Sequence, residues 1–368
     1  MPRRIVELSA ELALLLALLS APPDQGEIRR RAALVGDWQH FLCLLRRHRV
    51  VSLAGLRLPA DVIPDEIAAK IQQSKIGLAR RTLLQVAEAS RLIALLEAKD
   101  VPCLLLKGLP LSVRVYGAPL LRDCRDIDLL ISPQALQRGL KVLGDAGLRM
   151  VKAERTWPLI RRYAHDILFT SPSGVTIELK ARLHATPSLQ SEQIDGMLAR
   201  RTHLSVMGVE MPVMSKQDLL PYLCAHGARH CWFRLRWLAD VAALLSTQDE
   251  ADLDGLWAAA ERSGIEVPVL EAMMLAGDWL GVDIPQRMVA LAGDSRAVLG
   301  RRPLVERAVR EVGANGDPMT IPGYQRLLDR SEYSLRPDLG YRLDVLERQT
   351  VVWGGGAIRR FFTSERRR

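Results

Sequence analysis

Asp126 and Asp128 stand one residue apart in the stretch DIDLLIS, which reads as a strand. Residues two apart on a strand project to the same face, so these carboxylates sit side by side. Their repulsion is relieved by a proton or by a cation. Mg2+ suits such a pair, because it takes carboxylate oxygens together with substrate phosphates; Mn2+ is the other candidate. A third acid, Glu178 in VTIELK, alternates with Ile177 and Leu179 and so faces away from them. With Asp126 and Asp128 it would complete a metal site for in-line displacement at phosphorus. Upstream, the apolar run VPCLLLK stops at Lys107 and Gly108. A glycine at a strand-to-helix turn lets backbone amides and a helix N-terminus meet a phosphate. Lys107 would add a point charge there, and Pro110 fits an early helical position.

These residues need a framework, and the surrounding periodicity supplies one. VPCLLLK is too short for a helix and reads as a buried strand, LPLSVRVY as a short helix closed by Gly117 and Pro119, and DIDLLIS as a second strand. SPQALQRGLKVLGDAGL opens with a serine cap and proline and ends at Gly147. HDILFTSPSGVTIELKARL reads as a hairpin turning at Ser171–Gly174. The result is an α+β core, a small mixed β-sheet with helices, over residues 101–215. Residues 1–100 show three- and four-residue apolar spacing and form an N-terminal helical region. Residues 216–300 return to helix, with Pro221 in a first turn or at a kink. Residues 301–368 form a basic, partly irregular C-terminal segment.

The formal charge of +9 and pI near 9.6 favour phosphate-rich partners without choosing among nucleotide, nucleic acid and anionic lipid. Five cysteines, none spaced C-x-x-C, argue against a disulfide framework or zinc ribbon and suit a reducing cytoplasm. The opening MPRRIVELSAELALLLALLSAPP loosely mimics a signal peptide, but Glu7 and Glu11 interrupt it, and Leu8, Leu12, Leu15 and Leu19 recur at helical spacing. A buried amphipathic helix is expected there, and no run reaches transmembrane length. The terminal RRFFTSERRR places arginines around two phenylalanines, either an RNA-binding tail or a solvated terminus.

The ordered set of motifs resembles the polymerase-beta-like nucleotidyltransferase superfamily, and within it a bacterial family of uncharacterised nucleotidyltransferases. The resemblance rests on Lys107-Gly108, on Arg122, Asp126, Asp128 and Leu129 as R-x-x-x-D-x-D-L, and on Glu178-Leu179. It continues in His226, His230, Trp232, Arg236, Trp237 and Asp240 of the helical half, covering roughly residues 80–290. It implies a nucleotidyltransferase core flanked by N-terminal and C-terminal helical regions. A nucleoside triphosphate would yield its monophosphate to an acceptor with pyrophosphate release. Asp126, Asp128 and Glu178 would hold the metal and act in catalysis, and Lys107, Gly108 and Arg122 would bind phosphate. His226, His230, Arg236 and Asp240 would serve the acceptor or support the site. The acceptor is open among small molecule, peptide, protein and tRNA. Phosphoryl transfer on the same carboxylates, or an inactive nucleotide- or RNA-binding regulator, are the alternatives. Two positions depart from the family: Leu109 follows the glycine where the superfamily has serine, and Lys180 stands where the family has histidine.

The residues alone leave other roles open. Arg122 and Arg125 would balance the carboxylates' charge or hold phosphate. His226 and His230, four apart, would face substrate, bind metal or simply pack. Arg236 and Asp240 have the spacing of an ordinary helical ion pair.

Overall fold

The computed structural model describes residues 8–151, 166–189, 194–311, 313 and 317–351. The basic tail RRFFTSERRR lies outside the described residues. Five helices come first: α1 (Ala10–Leu19), α2 (Gln25–Ala32), α3 (Trp38–His48), α4 (Val51–Arg57) and α5 (Asp65–Glu97). The N-terminal leucines become α1, capped by Ser9, but the helix is buried nearly all round rather than amphipathic, since Leu14, Leu16 and Leu18 are buried as well as Leu12, Leu15 and Leu19. Among the described residues no helix is long and apolar enough to cross a membrane.

The sheet has seven strands: β1 (Cys103–Leu105), β2 (Asp126–Ile131), β3 (Arg149–Met150), β4 (Asp166–Thr170), β5 (Thr176–Lys180), β6 (Thr202–Val206) and β7 (Val209–Val213). Their order is β3-β4-β5-β2-β1-β7-β6. β2 runs parallel to β5 and β1 parallel to β7, while the remaining neighbours are antiparallel. The sheet is therefore mixed, as expected, but wider. The β6–β7 hairpin turns at Met207-Gly208, both at positive φ.

Alternation splits the sheet between two cores. Ile127, Leu129, Ile131, Ile177 and Leu179 face α5 and α7 (Leu136–Asp145) in one apolar cluster. α7 comes so close that a Cβ on Gly139 would lie 2.7 Å from Ile131 Cδ1, so a larger residue there would make the Ile131 side chain shift. Leu104, Leu106 and Leu130 join the larger cluster, which fuses N-terminal and C-terminal helices. α5 serves both: Ile67 and Ile71 belong to the larger core, and Val86 through Leu96 to the sheet's other face.

The remaining helices are α6 (Leu109–Tyr116), between β1 and β2, and α8 (Ile194–Ala199), before β6. Then follow α9 (Lys216–Arg229), α10 (Leu235–Leu245), α11 (Glu250–Ser263), α12 (Glu266–Leu280), α13 (Gln286–Asp294), α14 (Arg296–Arg310) and α15 (Tyr324–Tyr333). Pro221 lies inside α9. The described residues beyond 300 are more regular than their Gly, Pro and Arg content suggests: residues 339–351 are also helical, and Tyr324 and Tyr341 are fully buried.

Candidate active site

β2 and β5 lie in parallel register, with Asp126 opposite Thr176 and Asp128 opposite Glu178. The apolar partners Ile127, Leu129, Ile177 and Leu179 anchor one face, so the pleat forces Asp126, Asp128, Glu178 and Lys180 onto the other. β4 pairs Asp166 with Lys180 and extends the row. Leu106 N–H donates to the Asp128 carbonyl at 3.2 Å, fastening the end of β1 beside the acids.

Two lysines converge on Asp128. Lys107 Nζ donates to Asp128 Oδ1 at 2.7 Å, and Lys180 Nζ lies 3.7 Å from the same oxygen. Lys180 also donates to Glu178 Oε2 at 2.8 Å and to Asp166. Asp128 is buried, and its Oδ2 has no partner. Burial alone would raise its pKa, but the ammonium groups of Lys107 and Lys180 outweigh that and hold it below the usual carboxylate range. Glu178 moves the opposite way: burial and then the neighbouring Asp128 charge push it up to about 7. Two in-register carboxylates thus differ sharply in proton affinity, the separation that distinguishes a persistent anion from a group able to exchange protons near neutrality.

Gly108 precedes α6 with φ 83° and ψ −133°, a conformation open to glycine. A Cβ there would meet only the Asp126 carbonyl, at 3.9 Å, which places the opening of α6 beside the start of β2.

The helical half supplies rings rather than charges. Tyr222, His226 and His230 follow one another at four-residue intervals along α9 and its cap. Ring centroids run from His184 to Tyr222 at 6.1 Å, on to His226 at 5.8 Å, and on to His230 at 4.8 Å. Trp237 touches both histidines, at 5.2 and 5.1 Å. Burial first, and then the charges of Lys107 and Arg229 among others, keep His226 and His230 well below the usual histidine range and therefore neutral. Lys107, Asp128 and Lys180 all act on the Tyr222 hydroxyl, so this row borders the acids. Among the described residues no three His, Cys, Asp or Glu side chains group as a metal site.

The other expected site residues meet each other instead of the acids. Arg122 Nε donates to Asp240 Oδ2 at 2.8 Å, and the Tyr116 hydroxyl to Asp240 Oδ1 at 3.0 Å. Arg236 donates to the Asp123 carbonyl, not to Asp240 four residues on. Arg122, Arg236 and Asp240 are buried, and together they bolt the loop before β2 to α10. Asp166, Lys180, His184 and Tyr222 were not singled out as site residues from sequence. Tyr222 carried a signal, standing four residues before His226 on the same helix face; Asp166 carried none without the β4–β5 register.

A mixed sheet that presents in-register acids, two lysines and a glycine-opened helix is a scaffold for phosphate chemistry. The sequence matches the family described as uncharacterised nucleotidyltransferase over residues 35–281, about two thirds of its length, and the chain belongs to that family. Among solved structures it is similar to an antigenic nucleotidyltransferase-like protein from Paracoccidioides brasiliensis, at 15% identity and TM-score 0.29, covering 48% of this chain and 87% of that one. Comparison with curated proteins finds no match.

Proposed function

We propose that the protein is a metal-dependent nucleotidyltransferase of the polymerase-beta-like type, transferring a nucleoside monophosphate from an NTP to an acceptor with release of pyrophosphate. The observation that carries this reading is the in-register pair Asp128 and Glu178, with Lys107 bound to Asp128 beside the positive-φ Gly108 turn. The donor set fits Mg2+ or Mn2+: all the ligands would be carboxylate oxygens, and Asp128 Oδ2 is a buried acceptor without a partner. Asp128, Asp126 and Glu178 would hold the ion, which when bound supplies charge neutralisation at the phosphate oxygens.

The chain's own residues do the rest. Lys107 and the amides opening α6 bind the triphosphate tail. Glu178, with its raised proton affinity, accepts the proton from the acceptor hydroxyl. The His184–Tyr222–His226–His230 row would border the acceptor with uncharged rings. Five free cysteines suit a reducing cytoplasm.

One feature favours a second reading. Lys180, in place of the family histidine, already contacts Asp128, Glu178 and Asp166. An acidic site neutralised from within would suit an inactive nucleotide-binding regulator.

Incubation with α-labelled NTPs, Mg2+ and host lysate separates these outcomes. Label on an acceptor with pyrophosphate release supports nucleotidyl transfer. Nucleoside diphosphate release indicates phosphoryl transfer instead. Metal-dependent nucleotide binding without any labelled product would establish the regulator.

A further inference from the structure

A second cavity, of about 570 Å³, opens beside the loop that leads into β2. Its walls come from α3, α4 and α5, from Asp123 and Arg125 of that loop, from Arg234 before α10, and from Asp317. Six arginines and two aspartates line it, an excess of four positive charges.

The arginines are unequally engaged. Arg47 is fixed by the carbonyls of Phe233, Ala308 and Glu311 and by the Tyr324 hydroxyl. Arg81 pairs with Asp123 at 3.1 Å. Among the described residues no carboxylate forms an ion pair with Arg46, Arg49, Arg125 or Arg234. Arg234 lies over the rings of Phe233 and Trp237, at 5.2 and 6.0 Å, with a buried Nε that has no acceptor. Burial, and then Arg236 and Arg47, depress its pKa to about 10. Cations gathered this closely repel each other, and an anion among them relieves the repulsion while accepting from their forks.

Position ties the cavity to the acids. Arg125 precedes Asp126 directly, and Asp123 lies within about 11 Å of it along the chain. Lys107 and Gly108, the expected triphosphate contacts, do not line this cavity.

We infer that this arginine-walled cavity receives a multiply charged anionic group of the acceptor, and that the acceptor is a phosphorylated small molecule. The inference rests on the nucleotidyltransferase reading for the word acceptor, but the anion site stands by itself. The volume falls within the range of small-ligand sites, roughly 300–1,000 Å³. A single-stranded nucleic acid is disfavoured, because none of the lining residues is an aromatic on which bases could stack.

Inorganic triphosphate is the probe, titrated calorimetrically into the full chain in EDTA at 150 mM salt. Without a divalent ion, the carboxylates around Asp128 repel this probe, so the cavity is the site that is read. Arg46→Ala combined with Arg125→Ala should weaken binding at least about tenfold with an unchanged melting temperature. Arg138→Glu, an exposed arginine on α7, should change it less than threefold. Equal affinity in the wild type and the Arg46/Arg125 variant would overturn the proposal, as would an equal loss with Arg138→Glu or no binding at all. If a short single-stranded RNA displaces triphosphate at lower total phosphate, the small-molecule assignment fails. A protein that binds triphosphate through these arginines yet transfers no label from NTP would keep the anion site and remove the transferase reading alone.

Discussion

Glu271 and Asp128 are both buried carboxylates paired with buried cations, but they are finished differently. Arg301 reaches both Glu271 oxygens, at 2.8 and 3.0 Å, and the Trp232 indole donates a third bond at 2.8 Å. The same guanidinium also donates to the Ala228 and Ser331 carbonyls and to two serine hydroxyls. Both Glu271 oxygens and all three guanidinium nitrogens are engaged, as an interior ion pair requires if it is to offset its desolvation. Asp128 has both its cations on one oxygen and none on the other. A completed network fixes architecture, whereas the one at Asp128 leaves a buried acceptor unused on the sheet face.

That contrast can be broken, and the largest effect should come at Asp128. Under the proposed function, Asp128→Asn removes a carboxylate that would hold the metal and should lower labelled product by on the order of 10³-fold. It should also cost about 1–3 kcal/mol of stability, because Lys107 loses its counter-charge, while Lys180 keeps Glu178 and Asp166. Activity within tenfold of wild type would place Asp128 with the architectural pairs. Arg301→Met probes the other side. It strands Glu271 and should destabilise the fold by about 3–5 kcal/mol in urea titrations. A loss below 1 kcal/mol would show that the completed network is not what holds those helices.

Glu178 gives a smaller effect whose sign can be worked out. Its pKa rises from an ordinary 4.5 to about 7, so the folded state binds the proton more tightly than the unfolded chain. Its contribution to stability is therefore full below about pH 4.5 and is lost as pH rises through 7. In metal-free protein Glu178→Gln should remove a decline of about 1–3 kcal/mol across that window. Parallel melting curves for both proteins from pH 4.5 to 7 would contradict it. The smallest effect belongs to Asp240, whose oxygens both have donors. Tyr116→Phe removes one of them and should cost about 1 kcal/mol, with turnover unchanged.

What was readable from sequence follows the same division. Asp126, Asp128, Lys107 and Gly108 were legible because their meaning lies in spacings of one or two residues and in a strand's alternation. Glu178 was legible as an acid facing away from an apolar strand face, but its register against Asp128 depends on a parallel pairing between strands about fifty residues apart. Local patterns carry no information of that kind. The Arg122–Asp240 contact spans 118 positions; each partner looked like a site residue through the family motif, and no local spacing shows that they pair with each other. β3 has two residues, too few to show a period. The β6–β7 hairpin did leave a trace in THLSVMGVEMPV, an alternating run broken at a Met-Gly turn. The cavity arginines come from positions 46 to 234 and become a group only when α3, α5 and α10 pack.

The 33 residues of α5 span about 50 Å. One end is embedded in the helical core and the other lies under the sheet, with no proline along the helix and Gly77 its single glycine. Neither core can melt without dissolving part of a rod that the other also owns. Heat or urea should therefore take the molecule apart in one cooperative step, with fluorescence of the tryptophans in the helical body and far-ultraviolet ellipticity of the whole chain falling along the same curve.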